Sequence, residues 1–243
     1  MIDLFDRKPK TISVYPLEVD IHSHLLPGID DGVETFDEAI EVLRVLKSIG
    51  YKKIITTPHV MAEFYPNTKE IILEKLSGLK EAIVKANLDI EVEAAAEYYL
   101  DESFLALLDT PEKLMVFGKN YLLFETSFIN EPVFLKEAIF KINSIGLQPV
   151  LAHPERYMYV QANFKVLEQL AERNLLFQCN INAIEGYYSS AAKKVAKKMI
   201  KQNMVSFMGS DCHNMKHALV IKKAVSHKYF KKAIELDLKN NTL

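Results

Sequence analysis

Several features that mark specialised protein classes are scarce or missing in this sequence. Among 243 residues there are two cysteines, Cys179 and Cys212, neither in a CxxC pair; a disulfide framework is excluded, and both read as reduced thiols. No apolar run approaches the roughly 18 residues that span a bilayer, and the opening MIDLFDRKPK lacks the apolar core of a secretory signal. The expectation is a cytoplasmic protein with no transmembrane segment. Neither sign of charge dominates: 30 Lys and Arg against 32 Asp and Glu leave a formal net charge of −2, which argues against a general nucleic-acid binder. Gly/Ser-rich linkers and low-complexity tracts are also missing, so the 27.8 kDa chain reads as one domain, within the roughly 200–250 residues a barrel occupies.

What is present is 49% hydrophobic and 26% charged sequence, ordinary for a globular protein, arranged as alternating strand-like and helix-like runs. Strands are expected at 18–24, 53–57, 90–97, 121–126, 148–152, 175–181 and 205–208. Helices are expected at 35–49, 69–86, 102–108, 132–145, 164–173 and 190–201, and in the C-terminal part from Lys216. Thr35 and Glu38 have the spacing of a capping box. Seven strands joined mainly by helices fit a closed barrel or an open doubly wound sheet. The polar residues favour the barrel, because chemistry gathers at the C-terminal ends of barrel strands and here strand after strand ends in a residue that can bind a metal.

Those residues are His22 and His24, His59, Glu97, Glu125, His153, and Asp211 with His213; Asp31 follows the first pair. Residues two apart on an extended segment share a face, so His22 and His24 project together, as do Asp211 and His213. Five imidazoles and four carboxylates are the inventory of a polynuclear divalent-metal site. Four convergent carboxylates would repel one another and be costly to desolvate unless cations supplied the missing charge. Nitrogen and oxygen ligands without thiolate suit manganese, iron or zinc. Singly, each histidine is as well explained by ordinary hydrogen bonding; their joint placement at strand ends carries the argument.

The runs DIHSHLLPGIDDG (20–32), TTPH (56–59), HPERY (153–157) and GSDCHN (209–214) resemble the polymerase-and-histidinol-phosphatase (PHP) superfamily. Within it the chain is similar to the bacterial manganese-dependent protein tyrosine phosphatases of capsule and exopolysaccharide gene clusters. The resemblance runs from about residue 18 to about 217. It implies an α/β fold, a distorted (β/α)7 TIM-like barrel of the PHP type, as a single domain over 1–243. Residues 1–17 would form an N-terminal extension, 18–217 the barrel core and 218–243 a C-terminal helical segment. It also implies two or three divalent ions, manganese foremost: one on His22, His24, Glu97 and Asp211, one on Glu97, Glu125 and His153, one on Asp31, His59 and His213. Asp30 competes with Asp31, and the nine-residue step from His22 favours Asp31.

The implied reaction is attack of a metal-activated water on a phosphate ester, with Arg156 as the catalytic clamp on the phosphate oxygens. A second arginine that usually follows the DxH pair by five residues is replaced here by Ala218; Lys216 or His217 stands nearby, and Lys216 is a candidate substrate-binding residue. A cysteine-type phosphatase needs an arginine six residues after its thiolate, and those places hold Glu185 and Ala218. Tyr98, Tyr99, Tyr187, Tyr188, Phe64 and Tyr65 could rim a site for an aromatic ring, or simply pack. Lys193, Lys194, Lys197, Lys198 and Lys201 form a basic helix face, read first as solvated. His227 reads as a surface residue.

The expected partner is a phosphotyrosine protein, the tail of a bacterial tyrosine autokinase, with no nucleic acid and a homo-oligomer left open. Competing readings are a small phosphomonoester such as histidinol phosphate as substrate, a non-catalytic scaffold for an export-system partner, and metal-dependent amide hydrolysis. Leu4 and Phe5 ahead of the basic RKPK could anchor to a partner or a membrane surface, against the plainer reading of a frayed terminus.

Overall fold

The strands are short, and all but two of their junctions are filled by helices. The computed structural model describes residues 17–243. The expected N-terminal extension, with Leu4, Phe5 and RKPK, lies outside the described residues except for Leu17. In chain order the strands are β1 (Val19–Asp20), β2 (Lys53–Thr56), β3 (His59–Val60), β4 (Glu91–Ala94), β5 (Glu97–Tyr99), β6 (Tyr121–Glu125), β7 (Gln148–Leu151), β8 (Leu176–Asn180) and β9 (Phe207–Gly209). The helices are α1 (Phe36–Ser48), α2 (Lys69–Lys85), α3 (Glu102–Leu107), α4 (Leu135–Ser144), α5 (Met158–Ala162), α6 (Lys165–Ala171), α7 (Ile181–Glu185), α8 (Ser190–Lys201), α9 (Met215–Ala224) and α10 (Lys228–Ile234).

Every named strand pair is parallel, in the orders β1-β2-β4 and β3-β5-β6-β7-β8-β9. The two sets are continuous along the chain, because β2 runs into β3 across Thr57–Pro58 and β4 into β5 across Ala95–Ala96. Pro58 has no N–H to give a ladder, which breaks the first of these staves. The last stave returns to the first: Asp211 N–H donates to the His22 carbonyl at 2.8 Å, and His24 N–H donates to the Cys212 carbonyl at 2.9 Å. Seven parallel staves therefore close on themselves, the distorted barrel of an α/β chain that the strand-end residues implied.

Side chains alternate across the barrel wall. Val19, Ile55, Ala95, Leu123, Val150 and Phe207 pack with one another inside, whereas Ile54, Ala96, Leu122, Phe124, Leu151 and Met208 join the larger core under the helices. The expected C-terminal helical segment is built into this frame. Asn240 donates to the carbonyls of Val19 and Met208 and accepts from Met208 N–H, and Leu243 packs on the inner core.

The first helix starts where expected, with Thr35 accepting from Glu38 N–H; the Glu38 carboxylate accepts from Glu34 N–H, not from Thr35, so the box is displaced by one residue. Three segments differ from the sequence expectation. The strand expected over 18–24 keeps regular pairing only at Val19–Asp20, the one expected over 90–97 is two strands, and the one expected at 205–208 begins two residues later. The first yields where the chain turns His22 and His24 into the mouth, and at the third the Ser206 carbonyl accepts from Lys239 N–H instead of a strand partner. The short helices α5 and α7 have no signal in the sequence periodicity, since five residues cover little more than one turn.

Candidate metal centre

Above the apolar interior the barrel becomes polar, and the alternation explains which residues do so. On β5 and β6 the inward parity of Ala95 and Leu123 continues to Glu97 and Glu125. On β8 the inward parity of Leu176 continues to Gln178 and Asn180. His153 has the outward parity, yet its backbone is left-handed at φ 33° and ψ 52°, and its Nε2 lies 3.0 Å from Glu97 Oε1. Asp211 is also left-handed, at φ 48°. Non-glycine residues in this region carry strain that only a surrounding structure can hold, and two of the nine ligand-type residues do so here. Gly209 gives room to Gln178 and His22: a Cβ there would stand 2.5 Å from Gln178 Nε2 and 2.9 Å from His22 Cβ.

All nine ligand-type residues named from the sequence converge. Four groupings bring ligand atoms within 4.8 Å of one another: His24, Asp31, His59 and His213; His22, His24 and Asp211; His22, Glu97 and His153; and His59, Glu97 and Glu125. Glu97 touches four imidazoles, with Oε2 at 3.2 Å from His22 Nε2, 3.5 Å from His24 Nε2 and 3.1 Å from His59 Nδ1. Asp31 Oδ1 lies 3.4 Å from both His59 Nε2 and His213 Nε2. Asp30 instead accepts from His24 Nδ1 at 2.8 Å and from His59 N–H, so it supports the cluster from behind. A Cβ at Gly32 would lie 2.2 Å from the His24 carbonyl, so the loop carrying both aspartates needs a glycine there.

Divalent cations fit this arrangement on several grounds. His22 donates Nδ1–H to Gln178 Oε1 at 2.8 Å and His24 donates to Asp30, which leaves both Nε2 lone pairs facing inward, only 3.3 Å apart. The Nδ1–H tautomer of His213 donates in the same way to the Asp211 carbonyl, at 3.0 Å. Glu97 Oε2 and His59 Nδ1 are buried and, though 3.1 Å apart, make no hydrogen bond of good geometry. Electrostatics agree. Burial alone would raise Glu97 and Asp211, but the imidazoles, His22 and His59 at Glu97 and His213 and His22 at Asp211, hold both well below the usual carboxylate range. Burial opposes a charge on His22, His24 and His59, yet neighbouring carboxylates outweigh it and raise all three, His59 to about 10. Burial and then the Glu97 charge push Glu125 up to about 8, while burial and then Arg156 push His153 down to about 4.

The metal-free cluster thus balances its carboxylates with protons on imidazoles. A metal must expel such protons, and since His59, raised to about 10, and Glu125, raised to about 8, hold theirs at pH 7, metal affinity should rise with pH through the neutral range. The expectation is about tenfold tighter binding per pH unit for each proton displaced. Titration calorimetry with manganese at pH 6, 7 and 8 checks this, and an affinity unchanged across that span would contradict it.

Sequence reasoning named Arg156 as a clamp and Tyr188 as a rim residue but missed Asn180, Gln178 and Phe128, and it did not place any of them against Asp211. Its Oδ2 accepts from Asn180 Nδ2 at 2.6 Å, Arg156 Nη1 at 2.9 Å and the Tyr188 hydroxyl at 3.0 Å. The Arg156 guanidinium is sandwiched between the rings of Phe128, 4.6 Å from its centroid, and Tyr188, 4.5 Å away. The signal for Gln178 and Asn180 was available: two polar residues, two apart, on a strand otherwise apolar. Phe128 had none, because it stands in a loop. Tyr188→Phe keeps the stack on Arg156 and deletes one bond to Asp211, so manganese affinity should fall about tenfold. Manganese titration of the folded variant measures it; affinity equal to wild type would show that the hydroxyl does not orient Asp211.

The remaining residues divide. Lys216 is exposed, with Nζ 5.5 Å from the Tyr187 ring centroid, and it is in none of the four groupings. His217 packs nearer, its ring 5.2 Å from His213 and its Nδ1 3.0 Å from the Asp211 carbonyl. Ala218 is fully buried. Tyr65 stacks on His59 at 5.6 Å, Phe64 is exposed, and Tyr98 is a core residue whose hydroxyl accepts from Met115 N–H. Tyr99 and Phe64, with Phe128 and Glu125, line a cleft of about 510 Å3 beside the cluster. Both cysteines are buried, and burial pushes their thiols up, which leaves no thiolate nucleophile. His227, expected at the surface, caps α10 by accepting from Tyr229 N–H. Among the described residues no helix is long and apolar enough to cross a membrane.

A seven-stave barrel with clustered imidazoles and carboxylates at the C-terminal ends of its strands is a metallohydrolase scaffold. Residues 18–240 match the family described as capsular polysaccharide synthesis, CpsB/CapC, and the chain belongs to that family. It is 28% identical over 229 residues to the putative tyrosine-protein phosphatase CapC of Staphylococcus aureus, covering 93% of this chain and 90% of that protein. It is 27% identical over 198 residues to the tyrosine-protein phosphatase YwqE of Bacillus subtilis (strain 168), covering 82% and 78%. Among solved structures, one reported with YwqE from Bacillus subtilis and CpsB from Streptococcus pneumoniae, described as metal-dependent tyrosine phosphatases, superposes with a TM-score of 0.82 at 24% identity, covering 93% of each chain.

Proposed function

We propose that this chain is a metal-dependent protein tyrosine phosphatase of capsular or exopolysaccharide synthesis, and that it hydrolyses phosphotyrosine on the tail of a bacterial tyrosine autokinase. The observation that carries the reading is the convergence of nine ligand-type side chains beside an arginine held by Asp211 and two aromatic rings. Family membership and the tyrosine-phosphatase relatives support the substrate class.

His22, His24, Asp31, His59, Glu97, Glu125, His153, Asp211 and His213 would hold two or three divalent ions, manganese foremost. Such ions supply Lewis acidity toward phosphoryl oxygens and lower the pKa of water toward neutrality. The protein's own part is positional. Arg156 would grip phosphate oxygens with the donors not committed to Asp211, its plane fixed by Phe128 and Tyr188. The cleft between Phe64, Tyr99 and Phe128 would take the phenyl ring, and its carboxylates Glu63, Asp101 and Glu102 would meet the flanking peptide. Lys216 would meet the substrate at the opposite rim, beside Tyr187.

The test is phosphate release from a tyrosine-phosphorylated peptide by manganese-loaded protein, with and without a chelator. The expected result is release that the chelator abolishes and added manganese restores. No release by metal-loaded protein, or a kcat/KM for histidinol phosphate above that for the peptide, would overturn the reading.

A further inference from the structure

Away from the metal centre, charge is unevenly placed along the chain. Residues 190–243 hold twelve of the thirty basic residues and three of the thirty-two acidic ones, a net +9 in a chain of net −2. Eight of these lysines lie on α8 and α10, which pack against each other. At their junction stands Tyr229, with Lys197 Nζ 4.9 Å from its ring centroid and those of Lys201 and Lys228 each 5.8 Å away. Lys201, Lys228, Lys232 and Tyr229 line an open cleft of about 240 Å3.

Four lysines elsewhere on the surface have matching carboxylates: Lys47 with Asp89, Lys52 with Glu18, Lys53 with Glu93 and Lys141 with Asp109. Among the described residues, none of Lys197, Lys201, Lys228 and Lys232 has a carboxylate within 4.0 Å, and the neighbouring Glu185 is taken by Lys223 at 2.9 Å. Three ammonium groups around one ring, with Lys232 lining the same cleft, repel one another without a counter-ion, and an anion would relieve that repulsion. The cleft is small enough to suit a phosphoryl group, which lysines bind as point charges. An anionic membrane is the poorer fit, because neither α8 nor α10 presents an exposed large apolar side chain to insert.

The cleft is also placed along a path from the metal centre. Helix α8 begins at Ser190, two residues after Tyr188, whose hydroxyl is on Asp211. From Tyr188 to Lys201 the chain takes two residues of loop and eleven of helix, a span of about 23 Å, with Lys193, Lys194, Lys197 and Lys198 along it. An extended peptide covers that distance in about seven residues.

We propose that the cleft formed by Lys201, Lys228 and Lys232 around Tyr229 is an exosite for a second phosphoryl group, carried by the same peptide whose phosphotyrosine occupies the metal centre. The inference rests on the phosphopeptide reading above. It makes the enzyme prefer multiply phosphorylated segments by avidity, with no change in its chemistry.

The experiment uses the full chain and three substrates: p-nitrophenyl phosphate, a peptide with one phosphotyrosine, and the same peptide with a second phosphotyrosine seven or eight residues away. The second phosphate should lower KM about tenfold at unchanged kcat. The triple variant Lys201→Ala/Lys228→Ala/Lys232→Ala should erase that gain and leave p-nitrophenyl phosphate kinetics as they were. A control of equal net charge, Lys80→Ala/Lys85→Ala/Lys119→Ala, should keep the gain. Fluorescence anisotropy of the labelled doubly phosphorylated peptide on chelator-treated protein reads the exosite without catalysis, so failure of the phosphatase reading and failure of the exosite are separable. Equal KM for the two peptides, loss of the gain in the control variant, or binding of phosphatidylglycerol vesicles in place of the peptide would overturn the proposal.

Discussion

Glu97→Gln is expected to lose at least one metal ion per chain and to lower kcat for phosphopeptide about a thousandfold or more. The carboxylate is fully buried and touches His22, His24, His59 and His153, so it belongs to two of the four ligand groupings and borders the others. Glutamine keeps the shape, removes the charge, and turns a donor toward imidazole lone pairs that need a cation or a proton. A bound metal stabilises the transition state by several kcal/mol, and each 1.36 kcal/mol is about tenfold in rate, which sets the expected loss. Metal content by mass spectrometry after gel filtration, together with kcat, decides it. A variant with the full metal complement and a kcat within tenfold of wild type would contradict the assignment.

Arg156→Ala should separate substrate gripping from metal holding. The expected result is a fall of about 100- to 1000-fold in kcat/KM with metal content within about twofold of wild type. The guanidinium makes one bond to Asp211, while Asn180 and Tyr188 also hold that oxygen, so the ligand keeps two of its three donors when Arg156 is removed. Arg156→Lys should recover only a small part of the loss, since an ammonium keeps the charge but has no planar fork to lie between Phe128 and Tyr188. Steady-state kinetics on phosphopeptide and inhibition by inorganic phosphate measure both. Loss of metal in proportion to activity would assign Arg156 to the metal centre instead of the substrate.

These two residues also illustrate how far the sequence could be read. Glu97 was legible because it ends a strand whose inward parity can be counted from its own residues. His22 with His24 and Asp211 with His213 were legible from spacing alone, since the two members of each pair reach one cluster. The partition among metals was less so. The resemblance implied that His24 serves with His22 and that His59 serves with Asp31, whereas the geometry also brings His24 to Asp31 and His59 to Glu97 and Glu125. His59 reaches both because its two ring nitrogens face opposite ways. Which nitrogen faces what depends on a ring orientation set by packing.

Composition and pattern by themselves determined an α/β chain with a ring of ligand-type residues at strand ends, because side-chain parity and strand-helix alternation are local properties of consecutive residues. The tertiary structure decided the rest. Left-handed backbones at His153 and Asp211 turn these residues to the cluster against or beyond simple parity, and they are held there by neighbours remote in sequence. The stack of Phe128, Arg156 and Tyr188 joins three loops, and the lysine cleft joins α8 to α10. Such juxtapositions are fixed by how closed barrel and helices pack, and no window of sequence contains both partners.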